Sequence, residues 1–145
     1  MPAFWDGLCA GRSALGPIAR FPADDLDPRV AAEVRDVPED DPDRAGAMLL
    51  RAADEARREA RLDGAVDLGR VGVVVGTTLG GMQIFERWVA GERPADLGRV
   101  PYYAPAARLA RTVGCGGPVA TPQLACASGT EAIALAADWI RRGRA

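Results

Sequence analysis

The run VATPQLACASGTEAIALAADWIRR, Val119 to Arg142, carries the signals that set the architecture. Val119 to Leu124 reads as a strand but for Pro122, and Ser128 to Arg142 reads as a helix with Ile133, Ala136, Ala137 and Ile140 facing inward. Cys126 sits between them, with small residues on either side and the helix opening two residues later. A strand that turns through small residues into a helix is the recurring join of an α/β chain.

The same alternation extends upstream. VGVVV, Val71 to Val75, lies between Arg70 and Gly76 and is long enough for a strand buried on both faces. GTTLGG, Gly76 to Gly81, turns it into a helix from about Met82 to Val89, closed by Gly91 and Pro94. Tyr102 and Tyr103 lie in a loop between Pro101 and Pro105, Ala106 to Val113 reads as a helix, and GCGGP, Gly114 to Pro118, breaks it.

Further back, Asp41 before Pro42 marks an N-cap and first helical position. Ala45, Met48, Leu49, Ala52, Ala56 and Ala60 form one face of a helix running to about Leu62, which Gly64 ends. Pro22 to Pro42 reads as an irregular loop, and Phe4, Trp5 and Leu8 predict a short helix from Pro2 to Gly11. No repeat at a fixed period is visible. The class is α/β.

Composition narrows function. The chain has 145 residues, 48% hydrophobic and 26% charged, with net charge -2, as expected for one soluble domain or part of a larger one. All 18 basic residues are arginine and the 20 acids outnumber them, which does not describe a nucleic-acid surface. No apolar run approaches the roughly 20 residues of a membrane span, and MPAFWDGLCAGRS lacks the pattern of a secretory leader, so a cytoplasmic protein is expected.

Three cysteines at wide spacing, Cys9, Cys115 and Cys126, with no histidine, argue against a disulfide framework and a zinc site. The absence of histidine excludes every Ser-His or Cys-His pair within these residues. The acids Glu39, Asp40, Asp41 and Asp43 read as a solvated run rather than a metal loop. No cofactor motif is present: GTTLGG matches neither dinucleotide nor P-loop spacing and the chain has no lysine, so its glycines read as a sharp turn and a close helix approach.

Cys126 is the sharper candidate. A thiol at a helix N-terminus can have its pKa lowered from about 8.5 toward about 3.5–7.5, and the turn offers its own N–H as an oxyanion donor. A buried inert thiol is the competing reading of the same geometry. Cys115, in a glycine loop, and Cys9, on the first helix, read as structural. Trp5, Trp88 and Trp139 lie on helical apolar faces and read as core, and Arg141 to Arg144 as a solvated helix end.

Three segments in order resemble the N-terminal half of the β-ketoacyl-acyl carrier protein synthases, condensing enzymes of fatty acid and polyketide synthesis with the thiolase-like fold. They are FWDGLCAGRSALGPIARF, GVVVGTTLGGMQIFERW and GGPVATPQLACASGTEAIALAADWIRRGRA. The resemblance implies that Cys126 takes the acyl group from a carrier-protein thioester, with its own N–H as one oxyanion donor. It implies an acyl carrier protein as partner, a homo- or heterodimer, and no cofactor or metal. Two histidines and a lysine that promote decarboxylation of the malonyl extender in the family belong to its second half.

By the same resemblance, residues 1–145 are expected to form a single incomplete domain lacking the first strand and the C-terminal half. The alternative is a ketosynthase-like partner subunit that does not condense, or a truncated product that acts only by association with another chain. Leu124 stands where threonine is usual. The family's cysteine strand pairs with its twin across the dimer axis, and Pro122, unable to donate to a ladder, is expected at a sheet edge and so on that joint.

Overall fold

The computed structural model describes residues 2–38, 42–62, 64–93 and 96–145. They fall into two compact units, Met1–Asp40 and Asp41–Ala145. In the first, α1 spans Pro2–Cys9 and Gly11, at φ 63°, closes it as expected. Trp5, read as core, is 62% exposed, and Phe4 and Leu8 are exposed beside it. The correction follows from size: the two-residue strands β1 (Gly16–Pro17) and β2 (Val30–Ala31), paired antiparallel, are too small to cover a helix face. β2 lies inside the stretch read as irregular, since two residues carry no alternation to detect. Glu33 ties the hairpin's end, its carboxylate accepting from the Ala19 and Arg20 N–H groups at 3.1 Å.

The second unit is an α/β assembly. Helix α2 spans Arg44–Glu59. Its cap is Asp43, whose carboxylate accepts from Gly46 N–H; Asp41, expected in that role, lies outside the described residues, as do Glu39, Asp40 and the expected helix-closing Pro94. The other oxygen of Asp43 accepts from Arg108 at 2.8 Å, so a buried carboxylate joins a helix start to a second helix. The helix ends at Ala60, earlier than expected, because Arg61 itself takes a left-handed φ of 53° while Leu62 N–H donates back to Arg57.

Strands β3 (Val73–Val74) and β4 (Val119–Ala120) pair in parallel, with Val73 opposite Val119 and Val74 opposite Ala120. Helix α3 spans Met82–Val89, α4 spans Ala104–Val113 and α5 spans Ser128–Arg141. Side chains along β3 alternate between two faces. Val73 packs with Ala106, Leu109 and Ala110 of α4, and Val75 joins that cluster together with Leu49, Leu50 and Ala53 of α2. Gly72 and Gly76 face the other way: a Cβ on Gly72 would touch the Trp139 ring of α5, and one on Gly76 the backbone of Ser128. Alanines on α4 let its axis approach the strands.

Two helix faces differ from the sequence reading. On α5, Ile133 and Ile140 are 74% and 68% exposed, while Ser128 and Trp139 are buried. Ala136 and Ala137 are half-buried as expected, together with Ala132 and Leu135, and Gly72 leaves room for the Trp139 ring. On α2, Ala45, Ala52, Ala56 and Ala60 are exposed and the packed residues are Leu49, Leu50 and Ala53, since branched leucines offer more area to bury than alanine. Trp88, read as core, is half exposed and meets the Phe85 ring at 5.9 Å between centroids.

One short motif recurs without a fixed period. DLGRV occurs at Asp67–Val71 and Asp96–Val100, and both copies form the same 3-10 turn. In each the aspartate caps the glycine N–H two residues on, at 2.8 and 3.0 Å.

Candidate active site

The parallel ladder delivers the chain to Cys126. Val73, Val75 and Thr77 N–H groups donate in turn to the Pro118, Ala120 and Pro122 carbonyls, at 2.9, 3.1 and 3.4 Å. N–H and C=O of one strand residue point to the same edge, so the missing N–H of Pro122 falls on the side facing β3. Val75 C=O therefore receives no donor from Pro122, while Thr77 N–H still donates to the Pro122 carbonyl. The other edge of β4 has no strand partner among the described residues.

Released from the ladder, residues Leu124 to Ser128 close a tight turn. Ala125–Ala127 is a 3-10 segment, Ala127 N–H donates to Leu124 C=O, and Ala125 holds φ 47°. The Ser128 hydroxyl accepts from Leu124 N–H and donates to Ala125 C=O, both at 2.8 Å. Thr78 reaches the same carbonyl from GTTLGG at 3.4 Å. Two motifs separate in sequence thus form one surface: GTTLGG lies against the start of α5, and Thr77 stiffens it by accepting from Gly80 N–H.

Cys126 is exposed at the apex of this turn, one residue before the N-cap of the 14-residue α5 and two before its first turn begins. The aligned peptide dipoles of such a helix favour negative charge at this end. The other thiols differ. Cys9 lies on α1 of the first unit, exposed. Cys115 follows α4 beside the core, and burial pushes its thiol above the ordinary range against the opposing pull of the Arg57 guanidinium. Among the described residues no group of three or more metal-ligating side chains comes together, and no helix is long and apolar enough to cross a membrane.

The sequence reading passed over Ser128 and Thr78. A serine four residues after a strand end and at the first position of a helix is a recognisable side-chain-to-backbone signal; the contact from Thr78 had none, since it joins residues 47 apart.

The chain is 34% identical to "Nodulation protein E" of Rhizobium sp. (strain N33), over 99% of this chain and 40% of that protein. It is 33% identical to "3-oxoacyl-[acyl-carrier-protein] synthase I, chloroplastic" of Hordeum vulgare, over 98% and 36%. It is 30% identical to "Tetracenomycin polyketide synthase ketoacyl synthase alpha subunit" of Streptomyces glaucescens, over 99% and 39%. The chain spans about two fifths of the length of these relatives. Residues 1–145 match the family described as "Beta-ketoacyl synthase, N-terminal domain", and the chain belongs to that family.

Proposed function

We propose that this chain is the nucleophile-bearing part of a cytoplasmic β-ketoacyl synthase of fatty acid or polyketide synthesis, with Cys126 as the acyl acceptor. The observation that carries the reading is the placement of Cys126: exposed, on a braced turn, between the end of β4 and the N-terminus of α5. Its retained thiol also favours a condensing enzyme over a partner subunit that only associates.

Acyl transfer begins when the Cys126 sulfur attacks the carbonyl of an acyl carrier protein thioester. Charge gathers on the carbonyl oxygen, where the Cys126 N–H and the N-terminal end of α5 stabilise it. Collapse breaks the carrier's C–S bond, and the carrier thiol leaves with the proton that Cys126 gave up. In the second half-reaction a malonyl thioester loses carbon dioxide, its carbanion attacks the acyl-Cys126 carbonyl, and the new C–C bond releases the Cys126 thiolate. With no histidine or lysine among these 145 residues, the groups that stabilise the carbanion come from outside this chain, as the family resemblance implies. No step calls on a metal or organic cofactor.

We further read residues 1–145 as one incomplete domain, and its β4 as the joint of a dimer. The support is local. Val119, Thr121 and Gln123 turn their peptide groups away from β3, and the buried Thr121 hydroxyl has no hydrogen-bond partner among the described residues. An added strand on that edge supplies acceptors and donors to these peptide groups.

The test is product formation by the full-length protein that contains this chain. Supplied with acyl and malonyl carrier thioesters, it yields a β-ketoacyl carrier product, and its Cys126→Ala variant yields none. Product from that variant at the parent rate would refute the proposal.

A further inference from the structure

Resting on Cys126 as the acyl acceptor, the geometry points to Ser128 as a positioning residue that fixes the nucleophile's turn through its side-chain hydroxyl. Ser128 is only 4% exposed, and both functions of its hydroxyl are committed. It accepts from Leu124 N–H and donates to Ala125 C=O, each at 2.8 Å, the second on the peptide that joins Cys126 and the first two peptides upstream. With its only proton held by Ala125, the hydroxyl is not a proton carrier for the reaction. Its effect is on where Cys126 points.

The Ala125 carbonyl is the centre of the arrangement. It receives the Ser128 hydroxyl, the Ser128 backbone N–H that closes the 3-10 segment, and the Thr78 hydroxyl at 3.4 Å. Ala125 is at φ 47°, a left-handed conformation that a residue with a Cβ seldom adopts and that surrounding bonds must hold. Rotating Ala125 back to an ordinary conformation reorients the next peptide, which carries the Cys126 N–H, and with it the sulfur. The hydroxyl bridge opposes that rotation from both ends, because it also pins Leu124 N–H beyond the last ladder bond.

The experiment measures single-turnover acyl transfer from a carrier thioester to the full-length protein, for the parent, Ser128→Ala, Ser128→Thr and Cys126→Ala. Ser128→Ala is expected to slow the transfer step about ten- to a hundredfold, the range that follows from a small misplacement of a reacting group. The half-saturating carrier concentration is expected to stay within about twofold, since the buried hydroxyl touches no substrate. Ser128→Thr, which keeps the hydroxyl, returns the rate to within about threefold of the parent.

Transfer by Ser128→Ala at the parent rate, or a loss confined to half-saturation, overturns the positioning role. If Ser128→Ala does not fold, Ser128→Thr decides alone: a rate within threefold supports the role, and a tenfold loss overturns it. Cys126→Ala separates the two levels of the account. Acylation of that variant at the parent rate removes Cys126 as acceptor, whatever the serine variants do.

Discussion

Gly76 and Ser128 meet so closely that a Cβ on Gly76 would overlap the Ser128 carbonyl. The first glycine of GTTLGG is therefore required by the helix that carries the nucleophile turn, which lies 52 positions further along the chain at its nearest residue. Its partner in this role, Thr78, adds a hydrogen bond to Ala125 from the same loop. The glycine turn is the floor of the candidate site.

Gly76→Ala accordingly pushes α5 away from β3. Overpacking of this kind costs about 1–3 kcal/mol, and here the neighbour is backbone, which yields poorly. Urea denaturation of the full-length protein is expected to show a lower midpoint with an unchanged slope. A variant as stable as the parent would contradict the packing described here.

Asp43 serves both a helix cap and an ion pair with Arg108, and is itself buried. Removing the cap costs about 1 kcal/mol, and stranding a part-buried charge adds to it. Asp43→Ala is expected to destabilise by about 2–3 kcal/mol. Asp43→Asn keeps the capping oxygen and should cost visibly less. Equal losses in the two variants would show that the cap contributes nothing.

How much of this was legible depends on whether the deciding contact was local. The bounds Met82–Val89 of α3 follow from its own periodicity and flanking glycines, and Gly114, at φ 78°, ends α4 where the sequence placed a breaker. On α2 and α5 the spacing of alanines alone does not declare which stripe is covered, because alanine is tolerated at buried and exposed helix positions alike. Gly72 makes that choice for α5 by admitting the Trp139 ring. At the site, Cys126 and its turn stand out in the sequence, whereas the Thr78 contact depends on the parallel ladder that brings GTTLGG alongside. Which way the Pro122 nitrogen faces follows from register, and only the pairing of Val73 with Val119 reveals it.

The three thiols should separate by alkylation. Burial raises the Cys115 pKa, so its thiolate fraction at neutral pH is below that of an ordinary thiol and increases only as pH climbs past the usual range. With iodoacetamide near pH 7, peptide mapping is expected to find Cys126 modified first and Cys115 last, with Cys115 catching up at high pH. Equal rates for all three at pH 7 would contradict the placement of both residues.

The chain has no histidine and no lysine, and general acid–base chemistry on a carbanion needs a titrating or cationic donor in reach. A polypeptide of these 145 residues alone is expected to form no β-ketoacyl product from acyl and malonyl carrier thioesters. Product above the uncatalysed background, followed by mass spectrometry, would show that the arginines and backbone suffice.

The central claim is that an acyl group passes to Cys126, and the intact mass of the full-length protein after mixing with an acyl carrier thioester tests it most directly. The account predicts one added acyl mass per chain, one equivalent of free carrier thiol, the acyl group on the peptide containing Cys126, and no addition to Cys126→Ala. An unmodified parent protein, or an acyl group that persists in Cys126→Ala, would contradict it.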